Sequence, residues 1–173
     1  VVPEFGPVMQ LGFVVPDLEA AIVHWSSRVG VGPFFVMQHI KWGELLFRGQ
    51  PSDVDMSVAV AQWGEVQVEL IQQWNESPSI YTEFPLRRQG GLQHLGVMTD
   101  SVPEHLSRLK ARGIEPVQWG ATSNGVRFAY VDSDFHPGGM IELIESGRAI
   151  NGFFKMVREA AQGWDGSDPV RRL

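Results

Sequence analysis

The sequence predicts an α+β fold in which two copies of a β-α-β-β-β module face each other across a cleft, with a helix added at the C-terminus. Three observations carry that expectation. First, Gln10-Leu11-Gly12-Phe13-Val14-Val15 near the start is answered by His94-Leu95-Gly96-Val97, a side chain able to ligate metal followed by Leu-Gly and apolar residues. Second, Gly64-Glu65-Val66-Gln67-Val68-Glu69-Leu70-Ile71 is answered by Gly138-Gly139-Met140-Ile141-Glu142-Leu143-Ile144, with Glu-Leu-Ile in common. The openings lie 84 residues apart and the closings 73, so the copies differ in loop length and keep their order. Third, the same succession of strand, amphipathic helix and short strands runs between each opening and closing.

In the first copy, Val8 to Val15 is mostly apolar and rich in β-formers, and Pro16-Asp17 ends it with turn chemistry and a helix N-cap. Leu18, Ile22 and Trp25 then recur at helical spacing through Arg28, until Gly30, Gly32 and Pro33 stop the helix. Phe34 to His39, Glu44 to Arg48 and Met56 to Ala61 read as short strands. Val66 to Gln72 sets Val66, Val68 and Leu70 on one side and Gln67 and Glu69 on the other. Residues 8–72 are therefore read as the first module.

Residues 73–89 hold Asn75, Pro78 and Pro85 without sustained periodicity and form the connector; Trp74, Tyr81 and Phe84 imply that it packs across the surface. In the second module, residues 90–145, Gln93 to Met98 is a strand, and Ser101 with Glu104 forms a capping box for a helix carrying Leu106 and Leu109 and closing at Gly113. Ile114 to Gln118, Val126 to Val131 and Met140 to Ile144 are the remaining strands. Over residues 149–164, Ile150, Phe153, Phe154, Val157, Ala161 and Trp164 share one helical face, expected to pack as a lid or against a second subunit.

Composition narrows the function. A chain of 173 residues suits one domain built of two half-domains, and 43% hydrophobic with 20% charged residues is ordinary for a globular protein. A net charge of −6, with basic residues adjacent only at Arg87-Arg88 and Arg171-Arg172, argues against nucleic acid. Without cysteine there is no disulfide, thiol nucleophile or cysteine-zinc site. No apolar run approaches a membrane span and the start lacks a signal-peptide pattern, so a cytoplasmic protein without membrane partners is expected.

Strand periodicity lets each module place one side chain from its first strand and one from its last on a common concave face. If the modules pair, Gln10, Glu69, His94 and Glu142 converge and make the cleft metal-binding. One amide oxygen, one imidazole and two carboxylates suit a divalent ion: Mg, Mn, Co, Ni or an oxygen-rich Zn site. Taken singly, each residue reads as an ordinary surface or satisfied polar group; their equivalent placement in two repeats argues otherwise. His24 and His105 fall in helices, His39 in a strand and His136 in a turn, with surface or packing roles.

These motifs resemble the vicinal oxygen chelate superfamily, which includes glyoxalase, bleomycin-resistance and extradiol-dioxygenase proteins, over Val8 to Glu145. Val14-Val15-Pro16-Asp17-Leu18-Glu19-Ala20-Ala21, Gly91-Leu92-Gln93-His94 and Gly138-Gly139-Met140-Ile141-Glu142-Leu143 are most similar to its methylmalonyl-CoA epimerase branch. The resemblance implies paired βαβββ modules, metal at the four positions named, and a homodimer. Epimerases of that branch usually carry His and Gln at the first two ligand positions, where this chain has Gln10 and Glu69. The set Gln, Glu, His, Glu is instead similar to glyoxalase I of the eukaryotic type, but Val14 stands where that lyase has an arginine for glutathione. Iron-dependent ring-cleaving relatives use two His and one Glu, which this chain does not offer.

The expected activity is a metal-dependent isomerase or epimerase acting at a carbon alpha to a carbonyl through an enolate or enediolate, on a small carbonyl or acyl-thioester substrate. Glu142 is the expected base, and Glu44, in the region where epimerases carry a second base, its expected partner. Trp42, Phe47, Met56 and Trp63 are core or pocket lining; if lining, the substrate is apolar or aromatic. A glyoxalase I-like lyase is the alternative enzyme, and a sequestering small-molecule-binding protein the alternative from another class.

Overall fold

The computed structural model of the chain describes residues 4–173. β1 (Val8–Val14) buries Gln10, Gly12 and Val14 on one face and leaves Leu11 and Phe13 half-buried on the other. Asp17 accepts the Ala20 N–H at 2.9 Å and caps α1 (Leu18–His24), which continues as a π turn over Trp25–Val29 and stops at Gly30, whose φ of 79° suits glycine. There follow β2 (Phe34–Met37), β3 (Trp42–Phe47), β4 (Gln50–Pro51), β5 (Met56–Trp63) and β6 (Val66–Gln73). Leu18 and Ile22 of α1 pack on Ala59, Ala61, Val68 and Leu70, each contributing about 2 kcal/mol by burial.

The second half repeats the plan with β7 (Gly91–Thr99), α2 (Val102–Lys110), β8 (Pro116–Thr122), β9 (Arg127–Asp132) and β10 (Met140–Glu145). Ser101 Oγ accepts the Glu104 N–H at 3.3 Å, and Glu145 Oε2 accepts the Val102 N–H at 2.8 Å, so the first turn of α2 is tied to the last strand of its own module. Val102 and Leu109 pack on Val97, Ala129, Val131 and Leu143. α3 (Arg148–Ala161) and β11 (Val170–Arg172) close the chain. No helix of the described residues is long and apolar enough to cross a membrane.

All eleven strands belong to one sheet ordered β11-β2-β5-β6-β1-β7-β10-β9-β8-β3-β4. The halves join in its middle, where β1 and β7 run antiparallel. α1 and α2 cover one face; the other faces the cleft, where Ile71, Phe128 and Met140 pack with Ile80, Tyr81 and Phe84 of the connector.

The short strands after α1 divide in two. β2, β5 and β6 complete the first module, whereas β3 and β4 are an inserted hairpin that leaves the module and pairs with β8 of the other half. Residues 38–41 make the crossing, and from Met37 to Trp42 the chain reaches at most about 17 Å. Strands at opposite ends of the sheet are therefore neighbours in space, and the sheet must curl. The crossing is bonded to both sides: Ile40 N–H to Met56 O at 2.8 Å, and Ser123 N–H to Lys41 O at 2.8 Å.

Candidate metal centre

The Leu-Gly repeat has a steric purpose. In the antiparallel pairing of β1 with β7, Gln10 lies opposite Gly96 and Gly12 opposite His94. A Cβ on Gly12 would collide with the His94 ring, and one on Gly96 would sit 2.9 Å from Gln10 Cβ. Each glycine is thus the space that receives the other module's polar side chain. Glu69 stands beside Gly12 because β6 is parallel to β1, and Glu142 beside Gly96 because β10 is parallel to β7. Exchanging the modules exchanges Gln10 with His94 and Glu69 with Glu142.

The structure brings these residues together. Glu69 Oε2 and Glu142 Oε2 each lie 3.3 Å from His94 Nε2, and one ligand atom from each of the three residues falls within 4.8 Å of the others. The buried His94 Nε2 and Gln10 Oε1 both lack a well-aligned hydrogen-bond partner. An unpartnered imidazole nitrogen and amide oxygen in a site with two carboxylates is an arrangement a cation would satisfy. The donor set of imidazole, amide oxygen and two carboxylates therefore fits a divalent ion.

Two further glutamines hold the donors in place. Gln10 Nε2 donates to Gln67 Oε1 at 3.1 Å, which turns Gln10 Oε1 away from its neighbour. His94 Nδ1 lies 2.9 Å from Gln93 Oε1, so an Nδ1–H donated there leaves the Nε2 lone pair free. Adjacent residues on a regular strand face opposite ways; here the register slips between Gly12/His94 and Phe13/Leu92, and Gln93 is the extra residue of a bulge. The alternation of Gln67 with Glu69 was a sequence signal for the first of these supports. Nothing in a period of two signals the second.

Burial lowers the His94 pKa, but the close carboxylates of Glu142 and Glu69, first through their contacts with the ring and then through their charge, outweigh it and raise it to about 9. Burial raises the Glu69 carboxyl above its ordinary value, and His94 only partly offsets this. Without metal, the cluster keeps its charges by retaining a proton on His94.

The centre lies on the floor of a cavity of roughly 860 Å³, open mouth included, that Gln10, Glu69 and Glu142 help to line. Tyr81 from the connector and Tyr130 from β9 also line it, and the Tyr81 hydroxyl donates to that of Tyr130 at 3.1 Å. Tyr130 sits directly across from Glu142 on the neighbouring strand and edge-on to His94. Burial, and next the Glu142 charge, push both phenols well above their ordinary pKa, so both stay protonated. Neither tyrosine was singled out from the sequence for a role in the site, because a lone Tyr on an apolar strand or in a loop carries no spacing signal.

The sequence matches the family model for the glyoxalase/bleomycin resistance protein/dioxygenase superfamily over residues 9–130. The chain belongs to this superfamily. No curated protein gave a significant sequence match. Among solved superfamily-like structures, methylmalonyl-CoA epimerase from Mycobacterium tuberculosis superposes with a TM-score of 0.59 at 17% identity, covering 88% of this chain and 95% of the other. A hypothetical protein from Bacillus halodurans C-125 gives 0.58 at 16%, covering 82% and 95%. A variant of Streptomyces coelicolor methylmalonyl-CoA epimerase in complex with 2-nitronate-propionyl-CoA gives 0.55 at 14%, covering 83% and 96%. At these identities the likeness establishes the superfamily fold.

Glu44 is not brought to the superfamily's cleft. It is exposed on β3 and absent from the cavity wall, because Leu45 and Phe47 take the buried face of that strand and leave Glu44 on the solvent side. This corrects the expectation of a second base there. Trp42 and Met56 do line the cavity; Phe47 is core, and Trp63 is exposed on the far side. The other histidines also lie outside the site: His105 is buried against Thr99 and Phe5, and His39 pairs with Asp55 at the surface.

Proposed function

We propose that the protein is a metal-dependent isomerase or epimerase that moves a proton at a carbon next to a carbonyl. The observation that carries this reading is a pair of carboxylates, Glu69 and Glu142, buried with His94 at the bottom of an apolar cavity. Burying such charge is costly unless it is matched, and a divalent cation held by Gln10, Glu69, His94 and Glu142 would match it. When bound, that ion supplies a Lewis acid for the substrate carbonyl.

The chain's own residues handle the proton. Glu142 takes it from the α-carbon, the electron pair passes to the carbonyl oxygen, and the carboxylic acid so formed can return it. For the configuration to invert, a proton must arrive from the other face. Glu69, related to Glu142 by exchange of the modules, comes from the other half and takes the role expected of Glu44, which does not line the cavity. Tyr130, with a proton to donate, lies beside Glu142 and can hydrogen-bond the substrate oxygen. The curled sheet and α3 keep bulk water from the intermediate.

The test is proton exchange in deuterated buffer, followed by NMR across α-hydroxyketones, cyclic ketones and α-chiral acyl thioesters with metal-reconstituted protein. Glu142→Gln keeps an oxygen ligand and loses the base, so exchange should fall roughly 10²–10⁴-fold while metal is retained. Exchange at the wild-type rate in the metal-loaded variant would remove Glu142 from the mechanism.

The donor set also favours a second reading, a glyoxalase-type lyase. The cavity wall weighs against it: Val14 is buried in the core, and no Lys or Arg lines the cavity to hold the carboxylates of glutathione. Efficient turnover of the methylglyoxal–glutathione hemithioacetal would reverse that ranking.

A further inference from the structure

Charge balance at the floor limits what the cavity can accept. A divalent ion held by Glu69 and Glu142, with neutral His94 and Gln10, makes a centre of zero net charge. Above it the walls are carbon: Met37, Trp42, Met56, Phe128, Ile150 and Phe153 are among the lining residues, and the only polar side chains are the two tyrosines and, at Thr122 and Asn124, a small hydroxyl and an amide. None of the lining residues is Lys or Arg. Lys41, Arg127, Arg148 and Lys155, each next in sequence to a lining residue, are exposed to solvent. A substrate carboxylate or phosphate drawn into this space would leave water and meet neither a compensating cation nor a centre with positive charge to spare.

From this balance we infer, resting on the isomerase reading, that the substrate is an uncharged, carbon-rich carbonyl compound, aromatic or alicyclic. The carbonyl oxygen meets the floor and the ring packs against Trp42, Phe128 and Phe153. A coenzyme thioester whose acyl group carries a carboxylate is the kind of molecule the wall rejects.

A matched pair of probes tests this directly: 2-hydroxyacetophenone, which is neutral, and benzoylformate, which has the same ring and spacing but carries a carboxylate. Their affinities for metal-loaded protein are measured by ligand-observed NMR and calorimetry, with methylmalonyl-CoA as a third ligand. The neutral ketone should bind about tenfold tighter or better than benzoylformate. Glu69→Gln removes one negative charge from the floor and should narrow or reverse the ratio; if that variant does not fold, the wild-type comparison decides alone. Equal or tighter binding of benzoylformate or methylmalonyl-CoA by the wild type overturns the inference, as does failure of the neutral ketone to bind at millimolar concentration. The two readings fail separately. Binding of 2-hydroxyacetophenone without deuterium exchange at its α-carbon leaves the ligand class standing and removes the isomerase; exchange into the thioester and none into the ketone does the reverse.

Discussion

His94 sits where three demands meet: a glycine opposite it, a glutamine beside it, and two carboxylates in front. Gln93→Leu removes the acceptor for Nδ1 and frees the imidazole to rotate, so metal affinity should fall about 10–100-fold. Calorimetric titration checks this, and the melting temperature of the metal-free variant separates lost orientation from lost fold. The same residue sets a pH dependence. The folded pKa of about 9 lies above the 6.5 of an unfolded histidine. Its contribution to stability is therefore complete below pH 6.5 and disappears as pH rises through 9. Chelator-treated protein should lose thermal stability across that window. Metal-saturated protein should not, because the ion replaces the proton. Matching melting curves with and without metal would contradict the arrangement. The convergence of Gln10, Glu69, His94 and Glu142 was legible from the sequence because each is the repeated residue of a repeated motif. Tyr130 and Gln93 were not, since a packing neighbour and a bulge leave no period to read.

Among the elements, those with local causes were legible and those with distant partners were not. Asp17 and Ser101 announce α1 and α2 from the sequence, and both caps are in place. α3 shows the predicted apolar face: Phe154 and Val157 are buried, Phe153 meets Phe35 edge-on, and Trp164 beyond its end lies where a Cβ on Gly32 would stand. The face is divided between two tasks, since Phe153 belongs both to the packing on β2 and β5 and to the cavity wall, which Phe154 also lines. Ile150, by contrast, lines the cavity and is only half-buried. Ile150→Ser should cost less than about 1 kcal/mol of stability, as partly exposed positions do, while weakening binding of an apolar ketone several-fold. Denaturant titration and ligand titration on the same sample separate the two. The β3–β4 hairpin escaped assignment to its true place because its partner, β8, lies some seventy residues further along the chain, and no local pattern specifies a non-local pairing.

At the scale of the whole molecule, each half contributes two donors, so a bound ion ties the halves together through the middle of the sheet. Metal at a thousandfold excess over its dissociation constant should stabilise the fold by about 4 kcal/mol. For a chain of this size that raises the melting temperature by on the order of 10 °C. Because the halves share a continuous sheet and one cleft core, unfolding should remain a single transition with and without metal, and separate transitions in calorimetry would show that they melt independently. The crossing at residues 38–41 acts on this assembly as a hoop acts on staves. Ile40 is bonded to one side and Lys41 to the other, so the girth of the curled sheet at the crossing is limited by covalent chain and resists widening to suit a broader guest. Length is under less restraint where the cavity is lined by α3, which is not bonded to the crossing. In a homologous series of ligands, lengthening a tail away from the carbonyl should be tolerated where thickening the ring beside it is not, and release of product should wait on the helix rather than on the sheet.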